Sequence, residues 1–148
     1  MNWPLAELLP HAGDMILLDS VEHWDEDSIL ARCRVRDSLF SQPDGSWPAW
    51  LGIELMAQAV AAYAGLRAKS SGGQVQLGFL LGTRKYECAV SSFAAGAELE
   101  VSARRSLEDD SGMGVFECEI RSAGISLHAR LNVYRPTDPD SFIKETTP

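Results

Sequence analysis

The sequence has few of the residues that staple, ligate or anchor a chain. Only three of its 148 residues are cysteines, Cys33, Cys88 and Cys118, an odd number with no C-x-x-C spacing. That excludes a disulfide framework and a zinc knuckle, and leaves three small buried hydrophobes in a reducing compartment as the plain reading. Histidine is equally scarce: His11, His23 and His128 stand far apart and form no metal-ligand constellation, so neither a metal nor another cofactor is implied. Basic residues are in deficit, 13 against 21 acidic, for a net charge of −8. Such a surface is unsuited to neutralising nucleic-acid phosphates or anionic lipid. Long uninterrupted apolar runs are absent as well. The longest apolar stretch, 47–66, carries Glu54, Gln58 and Tyr63, which is wrong for a membrane span. The first seven residues have no basic region and reach Glu7 before an apolar run forms, so a signal peptide is not expected and the cytoplasm is. The chain also lacks G-x-S-x-G, Walker A, G-x-G-x-x-G and H-E-x-x-H motifs.

What is present is enough apolar material for one core: 45% hydrophobic and 23% charged residues predict a single domain over 1–136, with 137–148 an exposed tail. Pro4 opens a short helix through Leu5, Leu8 and Leu9 that Pro10 stops, and the chain then turns at Ala12-Gly13-Asp14. Residues 15–24 read as a strand with a buried first half, 25–27 as a turn, and 28–36 as a second strand with Ile29, Ala31, Cys33 and Val35 on one face. Polar and turn-forming residues over 37–48 predict an irregular loop. Residues 51–69 form the one convincing helix, apolar nearly all round and therefore buried, ending at Arg67, Lys69 and Ser70-Ser71-Gly72-Gly73. Strands are expected over 75–81, 85–90, 97–106, 114–121 and 125–134, with hairpin turns at 109–112 and at Ala123-Gly124. Helices segregated from an antiparallel sheet define an α+β fold.

Among candidate chemical groups, Glu54 is the most informative. An acid in the first turn of a helix ordinarily just complements the dipole, yet Leu51, Ile53, Leu55 and Met56 surround this one, so partial burial is expected. Gln58 lies one turn further on the same face, within reach of the carboxylate or of a substrate group. His11 sits in a turn, where most histidines are caps, and His23 and His128 sit on strands, where a structural role is commoner. The basic pairs Arg84-Lys85 and Arg104-Arg105 read first as solvated strand faces.

Leu9-Pro10-His11, followed by Met15-Ile16-Leu17-Leu18-Asp19-Ser20-Val21 and then Gly52-Ile53-Glu54-Leu55-Met56-Ala57-Gln58-Ala59, resembles the hot-dog-fold β-hydroxyacyl-acyl carrier protein dehydratases. The similarity continues through Gly78-Phe79-Leu80-Leu81-Gly82-Thr83-Arg84-Lys85-Tyr86 and Gly96-Ala97-Glu98-Leu99. The resemblance implies a long central helix wrapped by a curved antiparallel sheet, a homodimer with sites at its interface, and an acyl carrier protein as partner; a heterodimer with a homologous dehydratase is the alternative to the homodimer. It implies removal of water from a (3R)-3-hydroxyacyl thioester to give a trans-2-enoyl thioester. Glu54 takes the position of the family's helix carboxylate and Gln58 that of its helix Gln, while the stretch from Ala49 through Leu51 to Gly52 would supply N–H groups that polarise the thioester carbonyl.

The departure lies in the loop before the helix. Where the family has Gly-His-Phe-Pro-Gly, residues 40–47 contain no histidine. His11 is the best replacement, which makes His11 and Glu54 the expected catalytic pair. The sequence is most similar to a divergent subgroup with Leu-Pro-His-Ala-Gly near its start, found in bacterial gene clusters for aryl-polyene lipids. Two other readings stand beside the dehydratase: a hot-dog thioesterase in which Glu54 activates water or attacks the thioester, and a non-catalytic carrier-binding partner of an active dehydratase. Since acyl carrier proteins are acidic, docking requires a local patch from Arg84, Lys85, Arg104, Arg105 or Arg130.

Overall fold

The computed structural model describes residues 3–9, 13–72, 79–87, 91–108 and 113–134. In chain order these form α1 (Leu5–Leu8), β1 (Ser20–Trp24), β2 (Ser28–Arg34), β3 (Trp47–Pro48), α2 (Leu51–Ser70), β4 (Phe79–Glu87), β5 (Ser92–Phe93), β6 (Glu98–Glu108), β7 (Met113–Ser122) and β8 (Ile125–Tyr134). Six strands make one antiparallel sheet in the order β1-β2-β6-β7-β8-β4, and β3 pairs with β5 in a separate two-stranded ladder. With α2 as the one long helix packed on that sheet, this is the hot-dog fold.

Alternation decides which face of the sheet meets the helix. Ile29, Ala31 and Cys33 of β2 are buried, as are Leu99, Val101 and Ala103 of β6, Phe116, Cys118 and Ile120 of β7, and Leu127, Ala129 and Leu131 of β8. The opposite face carries charge in register. Arg32 lies across from Glu100 with its guanidinium 2.9 Å from the carboxylate, Arg34 across from Glu98 at 2.7 Å, and Arg130 across from Glu117 at 2.7 Å. Exposed pairs of this kind contribute roughly 0–1 kcal/mol each, so their main effect is on register: a slip of one residue would turn the whole apolar set to water.

Turn chemistry matches the sheet. Asp25 Oδ1 accepts the N–H groups of Asp27 and Ser28, and these bonds hold its carboxyl below the usual carboxylate range. Ala123 and Gly124, at φ 36° and 86°, give β7 and β8 a tight two-residue hairpin with both central residues left-handed.

Helix α2 is buried on most of its circumference, with Leu51, Leu55, Met56, Ala59 and Ala62 all at 0% exposure. It ends where Ser71 N–H bonds to Arg67 O and Gly72, at φ 78°, returns its N–H to Lys69 O. α1 crosses it at Gly65, where a Cβ would stand 2.6 Å from the Leu8 carbonyl oxygen.

The structure corrects four sequence expectations. The first strand does not begin at residue 15: Gly13–Met15 is a single 3-10 turn, and the ladder starts only when Asp19 N–H reaches Arg32 O at 2.8 Å. The two strands expected over 75–81 and 85–90 are, where described, one strand, β4, because register shifts at Leu80/Gly82 and Arg84/Glu87 absorb the irregular residues without breaking pairing. The loop over 37–48 ends in β3, where buried Trp47 pairs with Phe93. Ser92, which falls between the strands expected over 85–90 and 97–106, is part of that ladder. The turn over 109–112 and the tail over 137–148 lie outside the described residues.

Cys33 and Cys118 are buried and unpaired, and burial pushes both thiols up to about 12; Cys88 lies outside the described residues. In a Cys88→Ser background neither thiol is expected to react with iodoacetamide at pH 8 until the protein is unfolded; labelling of the native protein at the rate of a free thiol would contradict the burial. Gly65→Ala sets two effects against each other. The gain in helix propensity is about 1 kcal/mol, but overpacking against backbone atoms that cannot rotate away costs about 1–3 kcal/mol. The melting temperature should therefore fall, and a rise would mean that α1 moves aside at no cost.

Candidate active site

Glu54 stands in the first turn of α2, half-buried as its apolar neighbours lead one to expect. One turn on, Gln58 donates from Nε2 to Glu54 Oε1 at 3.1 Å. The rest of that amide is committed elsewhere. Nε2 also donates to the Met15 carbonyl at 2.6 Å, and Oε1 accepts the N–H groups of Leu17 at 2.9 Å and Leu18 at 3.4 Å. Gln58 is fully buried, and both its donor hydrogens and both acceptor positions are used. These bonds explain why residues 16–18 form no ladder: two of their amides are already held by a side chain 41 and 40 residues away in the chain.

The other side of the same segment is held by Arg36. Its guanidinium donates to the carbonyls of Leu17 at 3.1 Å and Ile16 at 3.0 Å, sits 3.3 Å from Asp19, and lies over the Trp47 ring. Trp47 in turn donates its indole N–H to the Arg36 carbonyl at 2.9 Å. Residues 15–18, downstream of His11, are thus clamped between a helix amide and an arginine. His11 itself lies outside the described residues.

The start of α2 is fixed from outside rather than by a cap. Trp50, at the N-cap position, makes no side-chain capping bond. Instead Ala49 N–H donates to Ser91 O at 3.1 Å, and the Ala49 carbonyl accepts both Gly52 N–H at 3.0 Å and the Tyr86 hydroxyl at 2.5 Å. Of the candidate carbonyl-binding N–H groups, those of Ala49 and Gly52 are therefore occupied by the chain's own carbonyls. Leu51 points its side chain into the core, which leaves its backbone N–H as its possible contribution. Among the described residues, the N–H groups of Trp50 and Leu51 have no backbone partner.

Apolar side chains surround this corner. Trp50 is 59% exposed one turn before Glu54, Met15 is 37% exposed at the Gln58 clamp, and Phe40 packs edge-on against Trp50. His23 is an exposed strand residue 3.7 Å from Asp25, and His128 lies 3.2 Å from Glu119 on the outer face of the sheet. The described residues contain no cluster of three or more metal-ligating side chains. No described helix is long and apolar enough to cross a membrane.

Two residues of the site were not singled out by the sequence. Arg36 continues the alternating polar face of β2 and looks solvated there. Tyr86 reads as one residue of a strand, although Gly52 is a signal: a glycine inside a helix is unfavourable by about 1 kcal/mol and often marks a close approach. Chemically, the arrangement offers a half-buried carboxyl group able to give or take a proton, at the positive end of a 20-residue helix.

Comparison with known proteins gives the family and the fold. A family model described as ApeP dehydratase matches residues 3–144. One chain of the dehydratase heterocomplex ApeI:P from Xenorhabdus doucetiae superposes with a TM-score of 0.89 and 31% identity, covering 99% of this chain and 100% of that one. More distant hot-dog structures share the fold alone. They include a mutant of the thioesterase PA1618 from Pseudomonas aeruginosa (TM-score 0.56, 19% identity, 78% and 79% of the two chains). The E. coli PaaI protein of the phenylacetic acid degradation operon is similar too (TM-score 0.59, 16% identity, 78% and 82%). No curated protein matches the chain. On a match that runs nearly end to end, the chain belongs to the ApeP-like dehydratase family.

Proposed function

We propose that this chain converts a (3R)-3-hydroxyacyl thioester on an acyl carrier protein into the trans-2-enoyl thioester, with Glu54 and His11 as the acid–base pair, in fatty-acid or polyene-type lipid synthesis. The observation that carries the reading is the half-buried Glu54 carboxyl at the positive end of α2, held by an amide whose other bonds are all internal. In the reaction a base removes a proton from C2, the C2–C3 double bond forms as the C3–O bond breaks, and the acid protonates the departing hydroxyl to water. By analogy with the family, His11 takes the proton and Glu54 gives one. Trp50 and Leu51 N–H groups polarise the thioester carbonyl as negative charge develops on it. Gln58 serves this site by orienting Glu54. The exposed Trp50 and Met15 rim suits an apolar acyl chain.

The partner is a carrier protein whose acidic surface meets the outer face of the sheet. Register aligns Arg104, Glu117, Arg130 and Arg84 in one row across β6, β7, β8 and β4. Arg105 is turned to Asp27 at 2.9 Å and Arg130 to Glu117, so the docking charge rests on Arg104 and on Arg84 and Lys85, whose side chains lie outside the described set. The reaction belongs in the cytoplasm, the reducing compartment that two buried unpaired cysteines suit.

A second reading has one observation in its favour: the similar solved structure is a heterocomplex of dehydratases, and this chain lacks the loop histidine over 40–47. On that reading it pairs with a homologous subunit that performs the chemistry.

Mass spectrometry of a 3-hydroxyacyl-carrier protein incubated with the purified chain separates these. Loss of one water is expected, with Glu54→Gln and His11→Ala each slowing it by a factor on the order of 10²–10⁴. An unchanged rate in Glu54→Gln would overturn the assignment. Water loss only after a homologous subunit is added, and indifferent to Glu54→Gln, would establish the partner role. Release of a free acid would instead identify a thioesterase.

A further inference from the structure

Tyr86 reaches across from β4, and its half-buried ring delivers the hydroxyl to the Ala49 carbonyl at 2.5 Å. That carbonyl and the Trp50 N–H are the two ends of one planar trans peptide, so the direction of one fixes the direction of the other on the opposite side. A hydrogen bond accepted by the carbonyl also polarises the peptide and strengthens its N–H as a donor. Here the carbonyl accepts two, from Tyr86 and from Gly52 N–H at 3.0 Å. The preceding peptide is anchored by Ala49 N–H on Ser91 O, and the absence of a side-chain cap on Trp50 leaves these contacts to determine where the helix begins.

Gly52 completes the arrangement. A Cβ there would overlap the Tyr86 hydroxyl and come within 3.2 Å of Ile120 Cδ1. The hydroxyl therefore occupies the space that any larger residue at position 52 would fill.

We infer that Tyr86 is a positioning residue for the dehydration: it orients and polarises the Ala49–Trp50 peptide so that the Trp50 N–H faces the thioester carbonyl, and Gly52 is glycine to admit its hydroxyl. This rests on the dehydratase reading above. Glu54 handles the proton; Tyr86 governs the charge that builds on the carbonyl oxygen when C2 is deprotonated. A lost oxyanion donor lowers turnover by about 10²–10³, and a donor weakened rather than removed costs less, on the order of tenfold.

The test combines kinetics with nuclear magnetic resonance of protein labelled with ¹⁵N-tryptophan. In Tyr86→Phe, kcat should fall on the order of tenfold with KM little changed, and the Trp50 backbone amide nitrogen should move upfield as its peptide carbonyl loses an acceptor bond. Gly52→Ala should do the same, although alanine favours the helix, so a weakened helix cannot be the cause. Wild-type kcat in either variant, or an unmoved Trp50 amide in Tyr86→Phe, would overturn the inference. If the wild-type protein releases no water while Tyr86→Phe still shifts the amide, the dehydratase reading fails and the polarised peptide stands. If the wild type dehydrates and Tyr86→Phe matches it, the reading stands and the positioning role fails.

Discussion

The site depends on one buried amide. Gln58 joins three pieces of backbone and one carboxylate: the Met15 carbonyl, the Leu17 and Leu18 N–H groups, and Glu54. A buried polar group left unpaired costs about 1–3 kcal/mol, so removing this side chain strands several groups at once, whereas in place it satisfies all of them. Arg36 closes the remaining side by taking the carbonyls of Ile16 and Leu17. A stretch that would otherwise need a neighbouring strand is thereby held at the flank of α2 by two side chains, and the chain entering it is the one that carries His11.

The same economy governs the helix start. Trp50 contributes no capping side chain, and Tyr86 together with the β3–β5 ladder holds the first turn against the sheet. Glu54 and the Trp50 and Leu51 N–H groups share that turn, so the proton-transfer group and the carbonyl-binding donors of the proposed dehydration are positioned by one rigid element. Helix burial supplies the rigidity, since the sheet, α1 and the segment at residues 15–18 together cover most of the helix circumference.

Much of this was legible in the sequence because periodicity reports burial. The alternation of Phe116, Cys118 and Ile120 against Glu117, Glu119 and Arg121 gave β7, and the all-round apolar character of α2 gave its burial. The failures are equally physical. Residues 15–18 look like a buried strand because Ile16, Leu17 and Leu18 are apolar, but no pattern in one segment reveals that its amides bond to a side chain 40 residues later. The bulges in β4 break period two without breaking pairing, so one strand reads as two. Gln58 was seen as a neighbour of Glu54 because i,i+4 spacing is local; Arg36 and Tyr86 act across the fold and leave no local signature. The role given to His11 comes from resemblance to a family alone.

Hydrogen exchange at the Leu17 and Leu18 amides tests the Gln58 clamp most directly. Wild-type protein should protect both amides as strongly as those of β6, despite their lying outside any ladder. In Gln58→Leu, which keeps the volume and removes the amide, they should exchange at least about tenfold faster while the β7 amides change less. Rapid exchange at these two amides in the wild type, or unchanged protection in the variant, would mean that the segment beside Glu54 is held by something other than Gln58.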